Sequence, residues 1–241
     1  MAKQKLKRFA EFSSFTHTFD FPYELRGKWK QEVFRNDHPL VLELGCGKGE
    51  YTVALAREYP EKNFTGIDIK SNRMWKGAGV ALEDELKNAT FMRALMHRIT
   101  ELYAPGEVDE IWITFPDPFP RARSAKHRLT HTRYLRFYKE ILKKGGLVNF
   151  KTDSDELFEF TMDMLKRLGI EPIITYWNVH EDPDAPAYLK NIRTYYENLF
   201  MKKGKTIKFV QFSLDDFTEE NAAAFEQWME EERQKEIASR A

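Results

Sequence analysis

Short apolar runs alternate with stretches of helical periodicity along most of the chain. Pro39 to Leu44 is apolar except for Glu43 and ends in Gly45-Cys46-Gly47-Lys48-Gly49, which reads as a buried strand entering a tight turn. A helix follows through Tyr51, Val53, Ala54, Leu55 and Ala56 until Pro60 stops it. The spacing then predicts strands over Asn63–Ile69, Ala89–Leu95 and Val108–Phe115, with a helix over Arg73–Leu86 between the first two. Thr130 opens a helix carrying Tyr134, Leu135, Phe137, Tyr138, Ile141 and Leu142, and Gly145-Gly146 serves as its stop signal. A strand over Leu147–Lys151 and a helix over Asp155–Leu168, ended by Gly169, come next. Strands over Ile173–Val179 and Thr206–Leu214 complete the pattern, with Glu181–Lys203 inserted between them. Regular alternation of this kind predicts an α/β fold whose mostly parallel sheet is covered by helices on both faces.

A chain of 241 residues accommodates one such domain with appendages. The expected division is an N-terminal extension over 1–38, partly mobile, a main domain over 39–214, and an acidic C-terminal helix or tail over 215–241. No apolar run approaches the ~20 residues of a membrane span. Met1 to Phe12 carries Lys3, Lys5, Lys7 and Arg8 but lacks the apolar stretch of a signal peptide, so export is not expected. Cys46 is the only cysteine, which excludes an intramolecular disulfide and a cysteine-based zinc cluster and fits a cytoplasmic protein. His97, His127 and His131 show no metal-ligand arrangement, and no metal is expected.

The formal net charge is zero, but the charge is unevenly distributed. Between Phe119 and Lys144 nine Lys/Arg stand against Glu140 alone, whereas after Gln211 nine Asp/Glu face Arg233, Lys235 and Arg240. Local clusters steer a polyanion more than the global sum does. On charge alone the pattern reads better as two solvated helices; its position beside the motifs below is what gives it meaning.

Two sites carry chemistry. In the first, three glycines between a strand and a helix let the backbone turn sharply and approach a ligand, with free N–H groups at the helix start. Glu50 stands where a dinucleotide fingerprint would place its third glycine, so G-x-G-x-G suits a nucleoside without pyrophosphate better than NAD. Asp68, about twenty residues on, ends the second strand, where a carboxylate accepts ribose hydroxyls. Glu43 is costly inside an apolar strand unless a cation pairs with it, and the methionine end of S-adenosylmethionine is cationic. The second site is Phe115-Pro116-Asp117-Pro118-Phe119-Pro120, after the fourth strand, where open α/β sheets bind ligands. Prolines on both sides of Asp117 fix its backbone.

Glu43 to Gly49, Phe115 to Leu129, Lys151-Thr152-Asp153 and Thr194-Tyr195-Tyr196-Glu197 resemble the bacterial tRNA (guanine-N7-)-methyltransferases. Where family members read approximately F-P-D-P-W-P-K-K-R-H-x-K-R-R-L, this chain has FPDPFPRARSAKHRL. The resemblance spans roughly Leu40 to Leu214. It implies a Rossmann-like class I methyltransferase with a seven-stranded sheet, S-adenosylmethionine as cofactor, and transfer of its methyl group to N7 of a guanosine in the tRNA variable loop. It implies that Glu43, Gly45, Gly47, Asp68 and Asp117 contact the cofactor, with Asp117 at the catalytic centre, and that Arg121, Asp153, Thr194, Tyr195, Tyr196 and Glu197 face the substrate. Arg121, Arg123, Lys126 and Arg128 are expected to grip RNA phosphates.

Three positions depart from the family pattern. Phe119 replaces Trp and keeps an aromatic face, while Arg121 replaces Lys with a different donor geometry. Leu95-Met96 stands where the family has Asp or Asn beside a small residue near the adenine; backbone and apolar contacts from Leu95 and Met96 are expected to hold the base instead. The rival readings are an exocyclic-amino N-methyltransferase, whose loop Pro116-Asp117-Pro118-Phe119 approximates without the second adjacent proline, and a non-catalytic RNA-binding module with a nucleoside pocket. Monomer and homodimer are both open at this stage.

Overall fold

The computed structural model describes residues 2–239. Its sheet has eight strands: β1 (Thr18–Asp20), β2 (Leu40–Leu44), β3 (Asn63–Asp68), β4 (Ala89–Arg93), β5 (Val108–Thr114), β6 (Leu142–Thr152), β7 (Ile174–Tyr176) and β8 (Lys208–Ser213). They lie in the order β1-β4-β3-β2-β5-β6-β8-β7. All pairs are parallel except β6 with β8 and β7 with β8. The helices are α1 (Ala2–Ser14), α2 (Glu50–Glu58), α3 (Ser71–Glu83), α4 (Thr132–Ile141), α5 (Asp155–Leu168), α6 (Ala187–Asn191), α7 (Tyr195–Lys202) and α8 (Glu219–Ser239). Among the described residues no helix is long and apolar enough to cross a membrane.

Buried side chains alternate between two cores, as the period of two along a strand requires. On β2, Leu40, Leu42 and Leu44 join the core that includes α4, α5 and the inner residues of α8, whereas Val41 joins the core shared with α1, α2, α3 and the 179–192 segment. Glu43 is on the second face. On β5, Ile111 and Ile113 go one way and Trp112 the other. The sheet is thus doubly wound, and its order reverses between β2 and β5, which opens a crevice at their carboxyl ends.

The strand and helix pattern read from the sequence recurs, with three differences. The eighth strand is β1, three residues too short to carry a periodic signal, which extends the sheet beside β4. The second concerns Gly145-Gly146, which do not cap α4: the helix ends at Ile141, and β6 starts at Leu142. Gly145 takes a left-handed φ of 73° and donates its N–H to the Asp215 carboxylate at 3.0 Å. The pair therefore forms a bulge between the Val108–Leu142 and Glu110–Leu147 partners. Finally, the ladder of β7 covers only Ile174–Tyr176, which pair with Phe209–Gln211 of β8.

The acidic C-terminal stretch is a helix anchored at its start. Phe217, Ala222 and Phe225 are buried, Asn221 donates to the Leu168 carbonyl at 3.0 Å, and Arg136 of α4 bridges Glu219 and Glu226 at 2.7 and 2.5 Å.

Candidate active site

The glycine turn is built from the backbone outward. Gly45, Gly47 and Gly49 hold φ of 72°, 56° and 70°, conformations that a side chain would strain. The turn is tied to the next strand, since Gly45 and Cys46 donate to the Ile67 carbonyl at 2.8 and 3.0 Å. Asp68 accepts from the Gly47 N–H at 3.0 Å and from the Lys70 N–H at 2.8 Å. Its carboxylate is thus fixed at the mouth of the turn, with lone pairs left for further donors. Gly77 of α3 lets that helix press on the turn from behind: a Cβ there would stand 2.6 Å from the Lys48 carbonyl oxygen.

Glu43 lies beneath the turn, 4% exposed. One carboxylate oxygen accepts from the Thr52 N–H at 2.8 Å and from the Thr52 hydroxyl, and the other from the Thr114 hydroxyl at 2.7 Å. These are neutral donors, and burial pushes the Glu43 carboxyl up to about 7, with the Asp68 charge adding to the rise. The Cys46 thiol is raised well above its ordinary value by burial, with Glu43 and Asp68 contributing, which marks it as a packed residue and not a nucleophile. Two carboxylates therefore converge on one turn, and among the described residues no cationic side chain is bonded to either. S-adenosylmethionine, cationic at sulfur and at its amino group, supplies charges of the sign this donor set lacks. Beyond Asp68, the Ala94 N–H donates to the Asp68 carbonyl at 3.2 Å, which sets half-buried Leu95 and Met96 just past the carboxyl end of β4, beside β3.

The Asp117 loop is strained at both ends. Phe115 and Phe119 have φ of 50° and 44°, a left-handed region unusual for bulky residues and costing about 1–3 kcal/mol each. The Phe115 N–H donates to the Lys151 carbonyl at 2.8 Å. Arg128 holds the other end, donating to the Pro118 and Phe119 carbonyls at 3.1 Å and to Glu156 at 2.6 Å, with its guanidinium 4.4 Å from the Phe160 ring. Asp117 is exposed on this braced loop. At the far end of the segment, the Leu129 side chain closes over Gly45, 3.6 Å from where a Cβ would stand.

This geometry places three of the expected residues, Arg128, Glu197 and Thr194, away from the surface. Arg128 is 5% exposed and satisfied by loop carbonyls and Glu156, so it braces the Asp117 loop and is not presented to a phosphate. Arg121, Arg123 and Lys126 are exposed beside it. Glu197 is fully buried: it pairs with Lys151 at 2.9 Å and with His180 at 3.0 Å, an internal anchor and not a surface contact. Thr194, also buried, caps α7 by accepting from the Glu197 N–H at 3.1 Å. Tyr195 and Tyr196 point outward, 55% and 45% exposed, with the Lys48 ammonium 4.1 Å from the Tyr195 ring. Asp153 is half-buried just before α5, and burial raises its carboxyl; Ser154 caps the helix, which leaves Asp153 unengaged in that role.

Three groups at the site escape sequence reasoning. Thr52 and Thr114 are unremarkable in their own elements and acquire a role only once α2 and β5 close on Glu43. Lys151 donates to the Leu189 and Ile192 carbonyls at 2.7 and 3.3 Å besides pairing with Glu197, so one buried ammonium pins the inserted segment onto the sheet. A lysine inside an apolar strand was the available signal.

A doubly wound sheet, a glycine turn with an acid at the end of the neighbouring strand, and a rigid acidic loop across the crevice define a Rossmann-like methyltransferase. The model of the family described as "Putative methyltransferase" matches residues 37–210. The tRNA (guanine-N(7)-)-methyltransferase of Christiangramia forsetii is 44% identical over 221 residues, covering 88% of this chain and 99% of its own. The enzyme of the same name from Bacteroides thetaiotaomicron is 43% identical, covering 89% of this chain and 87% of its own. The chain belongs to the tRNA (guanine-N(7)-)-methyltransferase family. Among solved structures, the 16S rRNA methyltransferase KamB shares the fold, with a TM-score of 0.58 at 16% identity over 77% of this chain and 92% of its own.

Proposed function

We propose that this protein transfers the methyl group of S-adenosylmethionine to N7 of a guanosine in the tRNA variable loop. The observation that carries the reading is the convergence, at the carboxyl ends of β2, β3 and β5, of Asp68 and Glu43 at one glycine turn with the strained Asp117 loop beside it.

When bound, the cofactor supplies an electrophilic methyl on a sulfonium. Asp68 would take the ribose hydroxyls, Gly45 and Gly47 would admit the ligand to the backbone, and Leu95 and Met96 would pack on the adenine. Guanine N7 carries a lone pair and no proton, so the chain has no proton to remove from the attacking atom. Its task is alignment, which supplies much of the rate through proximity and orientation. Positive charge builds on the purine as the methyl moves, and the carboxylate of Asp117, held by its braced loop, would stabilise it or hold the N1–H and amino edge. Tyr195, Tyr196 and Asp153 would border the guanine, while Arg121, Arg123 and Lys126 would meet phosphates.

Incubation with S-adenosylmethionine and unmodified tRNA, followed by nucleoside mass spectrometry, should yield 7-methylguanosine. Methylation at an exocyclic amine would favour the rival chemistry, and no transfer would favour a binding module. Asp117→Ala is expected to lower kcat about a hundredfold or more. Near-wild-type turnover by that variant would remove Asp117 from the centre.

A further inference from the structure

Among the described residues, the first half of α1 and the start of α3 carry exposed cations that stand in no ion pair. Lys5 and Arg8 on α1, and Lys70 and Arg73 at the start of α3, are exposed, and among the described residues none of the four stands in an ion pair. The neighbouring Lys7 and Lys76, by contrast, are paired with Glu11 and Glu50. The two helices run side by side in the same direction. The Arg8 guanidinium lies 5.0 Å from the Trp75 ring, and beyond the end of α1 the His17 ring nitrogen lies 3.0 Å from the Ala78 carbonyl. At a rise of about 1.5 Å per residue, Lys5 falls level with the first turn of α3, which follows directly on Asp68. These cations therefore stand at the carboxyl edge of the sheet on the β3 and β4 side of the glycine turn. Arg121, Arg123 and Lys126 belong to the segment that leaves β5 on the other side.

We propose that the α1–α3 cations form a second RNA-backbone surface, so that tRNA spans the cofactor mouth between two cationic flanks. The assignment rests on tRNA being the substrate. Unpaired point charges on neighbouring helices match a phosphate chain, whose repeated charges are met one at a time with release of counterions. α8 alone carries seven acids against Arg233 and Lys235, so the rest of the chain is net basic although the whole is neutral.

The test is the salt dependence of tRNA binding for the Lys5→Gln/Arg8→Gln/Arg73→Gln variant, measured by filter binding. Loss of three phosphate contacts should reduce the slope of log Kobs against log salt by about 2. KM for tRNA should rise at least tenfold at physiological salt, while kcat at saturating tRNA and calorimetric S-adenosylmethionine affinity stay at wild-type values. A slope unchanged in a variant that binds cofactor normally overturns the proposal. So does loss of binding to phosphatidylserine vesicles with tRNA binding intact, which would reassign the surface to membrane lipid. If the triple variant misfolds, tethered hydroxyl-radical cleavage from a cysteine replacing Gln4 decides: cuts in tRNA support the surface and their absence overturns it. Wild-type protein that forms no 7-methylguanosine would remove the functional reading itself, whereas normal methylation with an unchanged slope removes only this surface.

Discussion

Replacing Glu43 with Gln should stabilise the ligand-free protein at alkaline pH and leave it nearly unchanged in acid. The folded protein holds the Glu43 carboxyl at about 7 against an ordinary value of 4.5. A raised folded value means that the native state binds the proton more tightly than the unfolded chain does. The associated stability is fully present below pH 4.5 and is lost as pH rises through 7. Integrating between the two values gives a penalty of about 3 kcal/mol at pH 8 and about 1 kcal/mol at pH 5. Glutamine carries no charge and fits the donors present: its carbonyl oxygen can accept from Thr52, and its amide can donate to the Thr114 hydroxyl, which turns to accept. The variant should therefore gain roughly 2–3 kcal/mol over wild type at pH 8 relative to its difference at pH 5. In a domain of this size that is roughly 5–10 °C in melting temperature. Thermal melts of both proteins at the two pH values, without cofactor, measure it. S-adenosylmethionine should bind the variant more weakly, and its binding to wild type near pH 7 should release protons, seen by calorimetry in buffers of different ionisation enthalpy. An identical Tm difference at pH 5 and pH 8 would refute the reasoning, since it would mean that Glu43 titrates alike in the folded and unfolded states.

Lys151→Met leaves the Glu197 carboxylate buried with only His180 for company and should cost about 3–5 kcal/mol in urea denaturation, whereas Lys151→Met/Glu197→Leu should recover most of it. Gly77→Ala places a Cβ 2.6 Å from the Lys48 carbonyl oxygen and 2.9 Å from Gly49 Cα, backbone atoms that cannot swing aside. It should lose about 1–3 kcal/mol and weaken cofactor binding in calorimetry. Gly79→Ala, on the same helix with open space around it, should instead gain up to about 1 kcal/mol.

The pattern of apolar runs was enough to place β2 through β6 and their helices, because parallel strands buried on both faces leave near-continuous hydrophobic signals. It could not show β1, whose three residues pair only because β4 offers an edge. Nor could it separate the stop of α4 from the bulge in β6, since a glycine pair serves both and the Asp215 partner lies far along the chain. The glycine turn, Asp68 and the Asp117 loop were readable because each is a local motif. Lys151, Thr52 and Thr114 were not, because their roles exist only across elements. Charge counting had a similar limit. Arg128 and Arg136 belong to the basic block by sequence, yet one is turned inward onto loop carbonyls and the other is neutralised by α8.

A hydrogen bond ties the inserted segment to the helix that follows the glycine turn. The Tyr195 N–H at the start of α7 donates to Glu50 of α2 at 2.8 Å, at the position that distinguishes this turn from a dinucleotide fingerprint. An RNA that shifts α7 to reach its target must disturb the helix that opens from the glycine turn. Thermodynamic linkage makes the influence mutual: the factor by which bound RNA changes donor affinity is the factor by which the donor changes RNA affinity.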